Sequence, residues 1–171
     1  MYINGRLINY YCGIVLLFFL ESNAQSPYHL YDINNNLVKL DTSDYIIILM
    51  NNKNCITCFS ELSKSIENFS DMKQYCIVSI DSSVLSRKKA NIEVRRLMPN
   101  IHNVIFDYRD NIISYGYSDN MNKNSIFYKY KVDITPALII SKKSRHNYIP
   151  YRLLFTNGKL DTNKLFKFIV E

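Results

Sequence analysis

The sequence has no second cysteine pair. Of its four cysteines, two form the single Cys-x-x-Cys, Cys55-Ile56-Thr57-Cys58, while His29, His102 and His146 stand far apart in no ligand spacing. A zinc knuckle wants a second such pair or a Cys/His pair, so the metal reading lacks its ligands. So few cysteines also argue for a working dithiol more than a disulfide framework and leave stability to a hydrophobic core. Long apolar runs are missing as well. The run Cys12 to Leu20 falls well short of the roughly 20 residues that a spanning helix needs. There is no internal repeat and no linker-like stretch, and the length suits one domain with a full core.

What is present begins with a secretory pattern. Arg6 precedes the apolar run, and Glu21-Ser22-Asn23-Ala24 follows it, with small residues at Ser22 and Ala24 marking cleavage before Gln25. The expected division is a signal peptide over 1–24 and one domain over 25–171, with a retained signal anchor as the alternative. Arg6 and Glu21 leave together, so the domain keeps the net charge of +6. An exported chain, periplasmic or held in the cell envelope, meets no nucleic acid. The basic cluster Arg87, Lys88, Lys89, Arg95 and Arg96, opposed by Glu93 alone, then reads as a solvated helix face. Its functional reading is a docking surface for an acidic partner or anionic lipid headgroups.

The chemistry is concentrated between Asn51 and Phe69. Tyr45 to Met50 is a continuous apolar run, the mark of a strand covered on both faces. Phe59, Leu62, Ile66 and Phe69 recur at three and four residues and predict an amphipathic helix. The cysteines open that helix, where unpaired backbone N–H groups and the positive end of the dipole favour a thiolate. Cys55 is expected to face solvent with Cys58 one turn deeper. The pair reads as a redox dithiol, with a metal site or a plain structural disulfide as the alternatives.

Around this centre, Tyr28 to Leu40 reads as a hairpin turning at Asp32-Ile33-Asn34-Asn35-Asn36. Tyr75 to Ile80 is a second buried strand with Cys76 as a small hydrophobe inside it. Ser82 or Ser83 caps a helix that Pro99 stops, and Asn103 to Asp107 is a third strand. Tyr108 to Asn124 is polar and tyrosine-rich and is assigned as loop. Ser125 to Lys131 reads as a short helix before a strand headed by Pro136. Tyr148 to Phe155 reads as an edge or bulged strand after a turn over Lys142 to Asn147. Asp161 caps a last helix with Leu165, Phe166, Phe168 and Ile169 on its inner face. The alternation of strands and helices implies a parallel sheet with right-handed crossovers.

Taken in order, the leading hairpin, Cys55-x-x-Cys58-x-x-Glu61, the strands ending in Asp81 and Asp107, and Thr135-Pro136 at the head of a later strand resemble the thioredoxin superfamily. Within it the chain looks most like the exported TlpA/ResA-like thiol–disulfide oxidoreductases. The resemblance implies a thioredoxin-like α/β fold, with a central mixed sheet, helices on both faces and a leading β-hairpin. It implies that Cys55 attacks and Cys58 resolves. It further implies that Pro136 is cis, so that the Thr135 backbone sits opposite the sulfurs and can pair with a substrate strand. Glu61 matches the motif glutamate, a candidate acid/base; its other reading is an ordinary carboxylate near a helix N-terminus. No bound cofactor is implied, and the implied partners are client proteins with disulfides and a membrane electron donor. The chain departs from the family in four places. Asn54 replaces an aromatic residue, no proline lies between the cysteines, Leu49 stands where many thioredoxins bury a carboxylate, and the turn Lys142 to Asn147 lacks the usual glycine.

The leading expectation is therefore an exported oxidoreductase that reduces client disulfides by dithiol exchange. A thioredoxin-fold binding module with an inert or structural dithiol is the rival. A peroxidase of related fold fits less well, because such enzymes present one peroxidatic cysteine where this chain has a pair. Ile56-Thr57 adds no charge to the turn and Lys53 is the nearby cation, which predicts a poise nearer the reducing thioredoxins than the oxidising DsbA type.

Overall fold

The computed structural model describes residues 28–40, 43–51, 55–108, 125–143 and 145–170. The expected signal peptide, Lys53, Asn54 and the span 109–124 lie outside the described residues. Strands β1 (Leu30–Tyr31), β2 (Leu37–Val38), β3 (Tyr45–Met50), β4 (Lys73–Ile80), β5 (Asn103–Tyr108), β6 (Ala137–Lys142) and β7 (Arg145–Ile149) form one seven-stranded sheet. Its order is β2-β1-β5-β4-β3-β6-β7. The pairs β3–β4 and β4–β5 are parallel, and β1, β6 and β7 run antiparallel to their neighbours, so the sheet is mixed.

Alternation along the strands builds two apolar layers, because successive side chains leave a strand on opposite faces. Ile46, Ile48 and Met50 of β3 join Cys76 and Val78 of β4 and Leu138 and Ile140 of β6 on one side. That layer is covered by helices α1 (Ile56–Ile66), α2 (Val84–Leu97) and α5 (Thr162–Val170), through Phe59, Leu62, Ile66, Val94, Leu165 and Ile169. Tyr45, Ile47 and Leu49 join Ile77 and Ile139 on the other side, under the short helix α3 (Ile126–Lys129) and the leading hairpin. Fully burying one such aliphatic or aromatic side chain contributes about 1.5–3 kcal/mol.

Local chemistry sets the ends of these elements. In the hairpin, Asp32 Oδ1 accepts from the backbone of Asn34 and Asn36 at 2.9 and 2.8 Å while Asn35 takes a left-handed φ of 70°, a conformation that asparagine tolerates. Ser83 caps α2, its hydroxyl accepting from Ser86 N. Buried Asp107 accepts at Oδ2 from Ser125 Oγ at 2.7 Å and Ile126 N at 2.9 Å, so the end of β5 secures the start of α3.

Four expectations need correction. The strand expected over Tyr148 to Phe155 ends at Ile149; the chain then makes a one-turn helix, α4 (Tyr151–Leu154), and a small hairpin of β8 (Phe155–Thr156) and β9 (Lys159–Leu160). Pro150 is the reason, since it brings no N–H to a ladder but suits a helix start. The preceding turn is shorter than Lys142 to Asn147, because β6 runs through Lys142 and β7 begins at Arg145. Phe166 is 40% exposed and lies on the rim, its ring 5.0 Å from that of Phe69. Arg87 does not belong to the basic surface. It is 7% exposed, and its guanidinium donates to Ser82 O at 2.8 Å, Tyr108 Oη at 3.0 Å and Asn35 Oδ1 at 3.3 Å. Lys88, Lys89, Arg95 and Arg96 remain exposed.

Candidate active site

The parallel strands β3 and β4 and the head of β6 meet at one end of the sheet. There β3 hands the chain from Asn51 to Cys55, which is the N-cap of α1 in extended conformation and accepts the first helical hydrogen bond, from Phe59 N to its own carbonyl at 3.2 Å. Cys55 and Cys58 are joined in a disulfide with Cα atoms 5.2 Å apart. Cys55 is partly exposed and Cys58 fully buried, the arrangement that the helix reading implied. Phe59, Leu62 and Ile66 anchor the helix in the core, and its first turn carries no acidic residue to oppose a thiolate. Thr57 Oγ1 lies 3.4 Å from Cys55 Sγ and offers a hydroxyl donor to it.

Thr135 and Pro136 sit beside the end of β3. The Thr135–Pro136 peptide bond is cis. Buried Thr135 donates from Oγ1 to Asn51 Oδ1 at 2.9 Å and accepts at the same oxygen from Asn51 N at 3.3 Å. The loop that heads β6 is thereby fixed to the residue four positions before Cys55. Glu61, one turn after Cys58, accepts from Leu160 N at 3.2 Å, which ties α1 to β9. Leu49 is fully buried but turns into the layer opposite Cys58; the last β3 residue in the layer of Cys58 is Met50. Neither can exchange a proton. Cys76 is a buried free thiol whose pKa is pushed far up by desolvation, an inert side chain inside β4. Among the described residues no three His, Cys, Asp or Glu side chains converge on a metal-sized space.

Two groups at the disulfide were not read from the sequence. Tyr151 Oη lies 3.5 Å from Cys58 Sγ, and the Gly158 carbonyl oxygen 3.7 Å from it. Signals for the turns that carry them were there, though not for the contacts. Pro150 opens the turn that carries Tyr151, and Asn157-Gly158 is a two-residue hairpin turn with φ of 51° and 75°, the type I′ signature.

No protein-family model matches this sequence, and no curated protein matches it. Solved structures do. A secreted Mycobacterium tuberculosis disulfide oxidoreductase homologous to E. coli DsbE superposes with a TM-score of 0.56 at 9% identity, over 86% of this chain and 98% of that one. A thiol:disulfide interchange protein from Bacteroides sp. gives 0.54 at 16% identity, over 84% and 86% of the two chains. The thioredoxin domain of a thiol-disulfide oxidoreductase from Bacteroides vulgatus gives 0.51 at 17%, over 86% and 99%. At such identities the likeness is one of fold. With the sheet order, the Cys55–Cys58 pair and these neighbours in agreement, the chain has a thioredoxin-like α/β fold similar to those of thiol–disulfide oxidoreductases.

Proposed function

We propose that the protein is an exported thiol–disulfide oxidoreductase that reduces client disulfides through Cys55 and Cys58. One observation carries this reading: the two sulfurs share the first turn of α1, one reachable from solvent and the other buried behind it. In the reduced state, the Cys55 thiolate attacks a client sulfur, and the client disulfide breaks as the mixed disulfide forms. Cys58 then attacks Cys55 Sγ, closing the internal disulfide and expelling the second client thiolate, so that two electrons pass to the client. The helix N-terminus and the Thr57 hydroxyl stabilise Cys55 as an anion, and no cation adds to them among the described residues of the turn. That modest stabilisation supports a reducing poise. The backbone of Thr135, held beside Asn51 at the end of β3, is the proposed docking edge for the client strand.

Export is supported by the Arg6-to-Ala24 pattern and by a neighbour that is itself secreted. Among the described residues no helix is long and apolar enough to cross a membrane. A membrane donor that re-reduces the pair belongs to the same proposal. The test is trapping. A Cys58→Ser variant should accumulate mixed disulfides through Cys55, and their absence, with Cys55 unreactive toward small disulfides, overturns the proposal. Titration against glutathione then fixes direction: a midpoint more oxidising than about −180 mV, the value of protein disulfide isomerase, overturns the reductant assignment alone.

A further inference from the structure

Release of a mixed disulfide needs Cys58 as a thiolate, yet Cys58 is fully buried, and burial in apolar surroundings disfavours the anion. Something must hold that charge. Met50, Phe59 and Leu62 pack in the same layer and offer nothing polar. Glu61 is engaged with the backbone of Leu160. Among the described residues, the side-chain donor within reach of Cys58 Sγ is the Tyr151 hydroxyl, at 3.5 Å.

The position of that hydroxyl is built. Pro150 ends β7 and starts the turn of α4, Leu153 N bonds back to Pro150 O at 3.0 Å, and the Tyr151 ring stacks on Phe155 at 4.7 Å with 10° between planes. On the same sulfur, the Gly158 carbonyl at 3.7 Å comes from the β8–β9 turn. The two groups are complementary. A carbonyl only accepts, so it suits the protonated thiol, whereas a phenol can donate, so it suits the thiolate.

We propose that Tyr151 is a catalytic residue of the dithiol, its hydroxyl donating to the Cys58 thiolate that closes the internal disulfide, with the Gly158 carbonyl holding the thiol form beforehand. The inference rests on the exchange reading above. Cys58 gives its proton to water. Its electron pair then forms the bond to Cys55 Sγ as the Cys55–client bond breaks, and the client thiolate leaves with that bond's electrons and takes up a proton from water. The phenol keeps its own proton throughout.

The test uses the reduced full chain in excess over a chromogenic aromatic disulfide, followed by stopped flow. Attack by Cys55 releases a first coloured thiolate and closure by Cys58 a second. A hydrogen bond to a charged group contributes enough to move a thiol by about one to two pH units. The thiolate fraction lost is partly offset by the greater nucleophilicity of a more basic sulfur. Tyr151→Phe should therefore slow the second phase at neutral pH by about threefold to tenfold and raise its pH midpoint by about one to two units. The first phase should stay within about twofold, since the Tyr151 hydroxyl is paired with Cys58 Sγ and not with Cys55. A second phase with unchanged rate and midpoint overturns the proposal. A wild-type protein with no first phase overturns the exchange reading and takes this inference with it. If Tyr151→Phe does not fold, fluorotyrosine at position 151 keeps the ring stack and makes a stronger donor. It should lower the midpoint of the second phase, and no shift overturns the assignment.

Discussion

Reducing the Cys55–Cys58 disulfide should leave the protein folded, and the structure sets the size of the effect. The bridge closes a loop across a sequence separation of only three. Chain entropy therefore assigns it about 2 kcal/mol, near the bottom of the range for disulfides. Against this, Phe59, Leu62 and Ile66 hold the same helix in the core at essentially zero exposure, and each contributes about 1.5–3 kcal/mol. Burial exceeds the crosslink by a wide margin. For a domain of this size, about 2 kcal/mol corresponds to a fall in Tm of roughly 4–8 °C. Melting followed by circular dichroism, with and without a phosphine reductant, reads the difference, and the Cys55→Ser/Cys58→Ser double variant should melt with the reduced protein. Loss of a cooperative transition, or a fall beyond about 15 °C, means that the bridge is a structural staple. That outcome favours the binding-module reading, because a dithiol that cycles must be compatible with a stable fold in both states.

Other outcomes follow from the same geometry. Thiol counting on the reduced, folded protein should find Cys55 reactive and Cys76 silent until denaturant is added, because Cys76 is buried and its thiol is pushed up by desolvation; an alkylated Cys76 in native protein contradicts this. Asp81 accepts from Ser83 N at 2.9 Å and Ser86 Oγ at 2.7 Å, and these bonds, the Ser83 and Ser86 side chains first, hold its carboxyl at a pKa of about 2. A depressed folded value means stability that is present above the ordinary carboxylate range and lost as pH falls through about 2. Asp81→Ala should thus cost about 1 kcal/mol or less at neutral pH, discounted for exposure, and the gap to wild type should close in acid urea melts. Gly158 has room for a methyl group, with nothing within 4 Å, but its φ of 75° is left-handed. Gly158→Ala should cost about 1–2 kcal/mol in denaturant melts, from backbone strain alone.

The fold was legible wherever burial and periodicity agreed. Tyr45 to Met50 and Tyr75 to Ile80 lie in the middle of the sheet, so both faces are apolar and the runs are unbroken. Ser83 and Pro99 bracketed α2 because caps and prolines act locally. The sheet edge was harder. Tyr148 to Phe155 has a strand's composition, but Pro150 changes the outcome, and an edge strand has no second neighbour to enforce pairing. Arg87 was misread by charge, although its spacing from Ala90, Val94 and Leu97 places it on the buried stripe of α2. The cysteines were readable from three-residue spacing and an adjoining strand. Tyr151 was not, since it reaches Cys58 across 93 residues of sequence through two turns whose geometry only the folded chain fixes.

The direction of β6 has a practical consequence. The strand starts at Ala137, opposite Leu49 near the end of β3, and runs antiparallel to β3 to Lys142, whose ammonium bonds the carbonyl oxygens of Ile169 and Val170 at the end of α5. Six residues of extended strand at about 3.3 Å each separate the two poles. A tag, dye or surface linker attached beyond α5 therefore sits a strand's length, roughly 20 Å, from the end of the sheet where β3 leads toward the dithiol. Immobilised that way, the molecule presents Cys55 outward to whatever is passed over it.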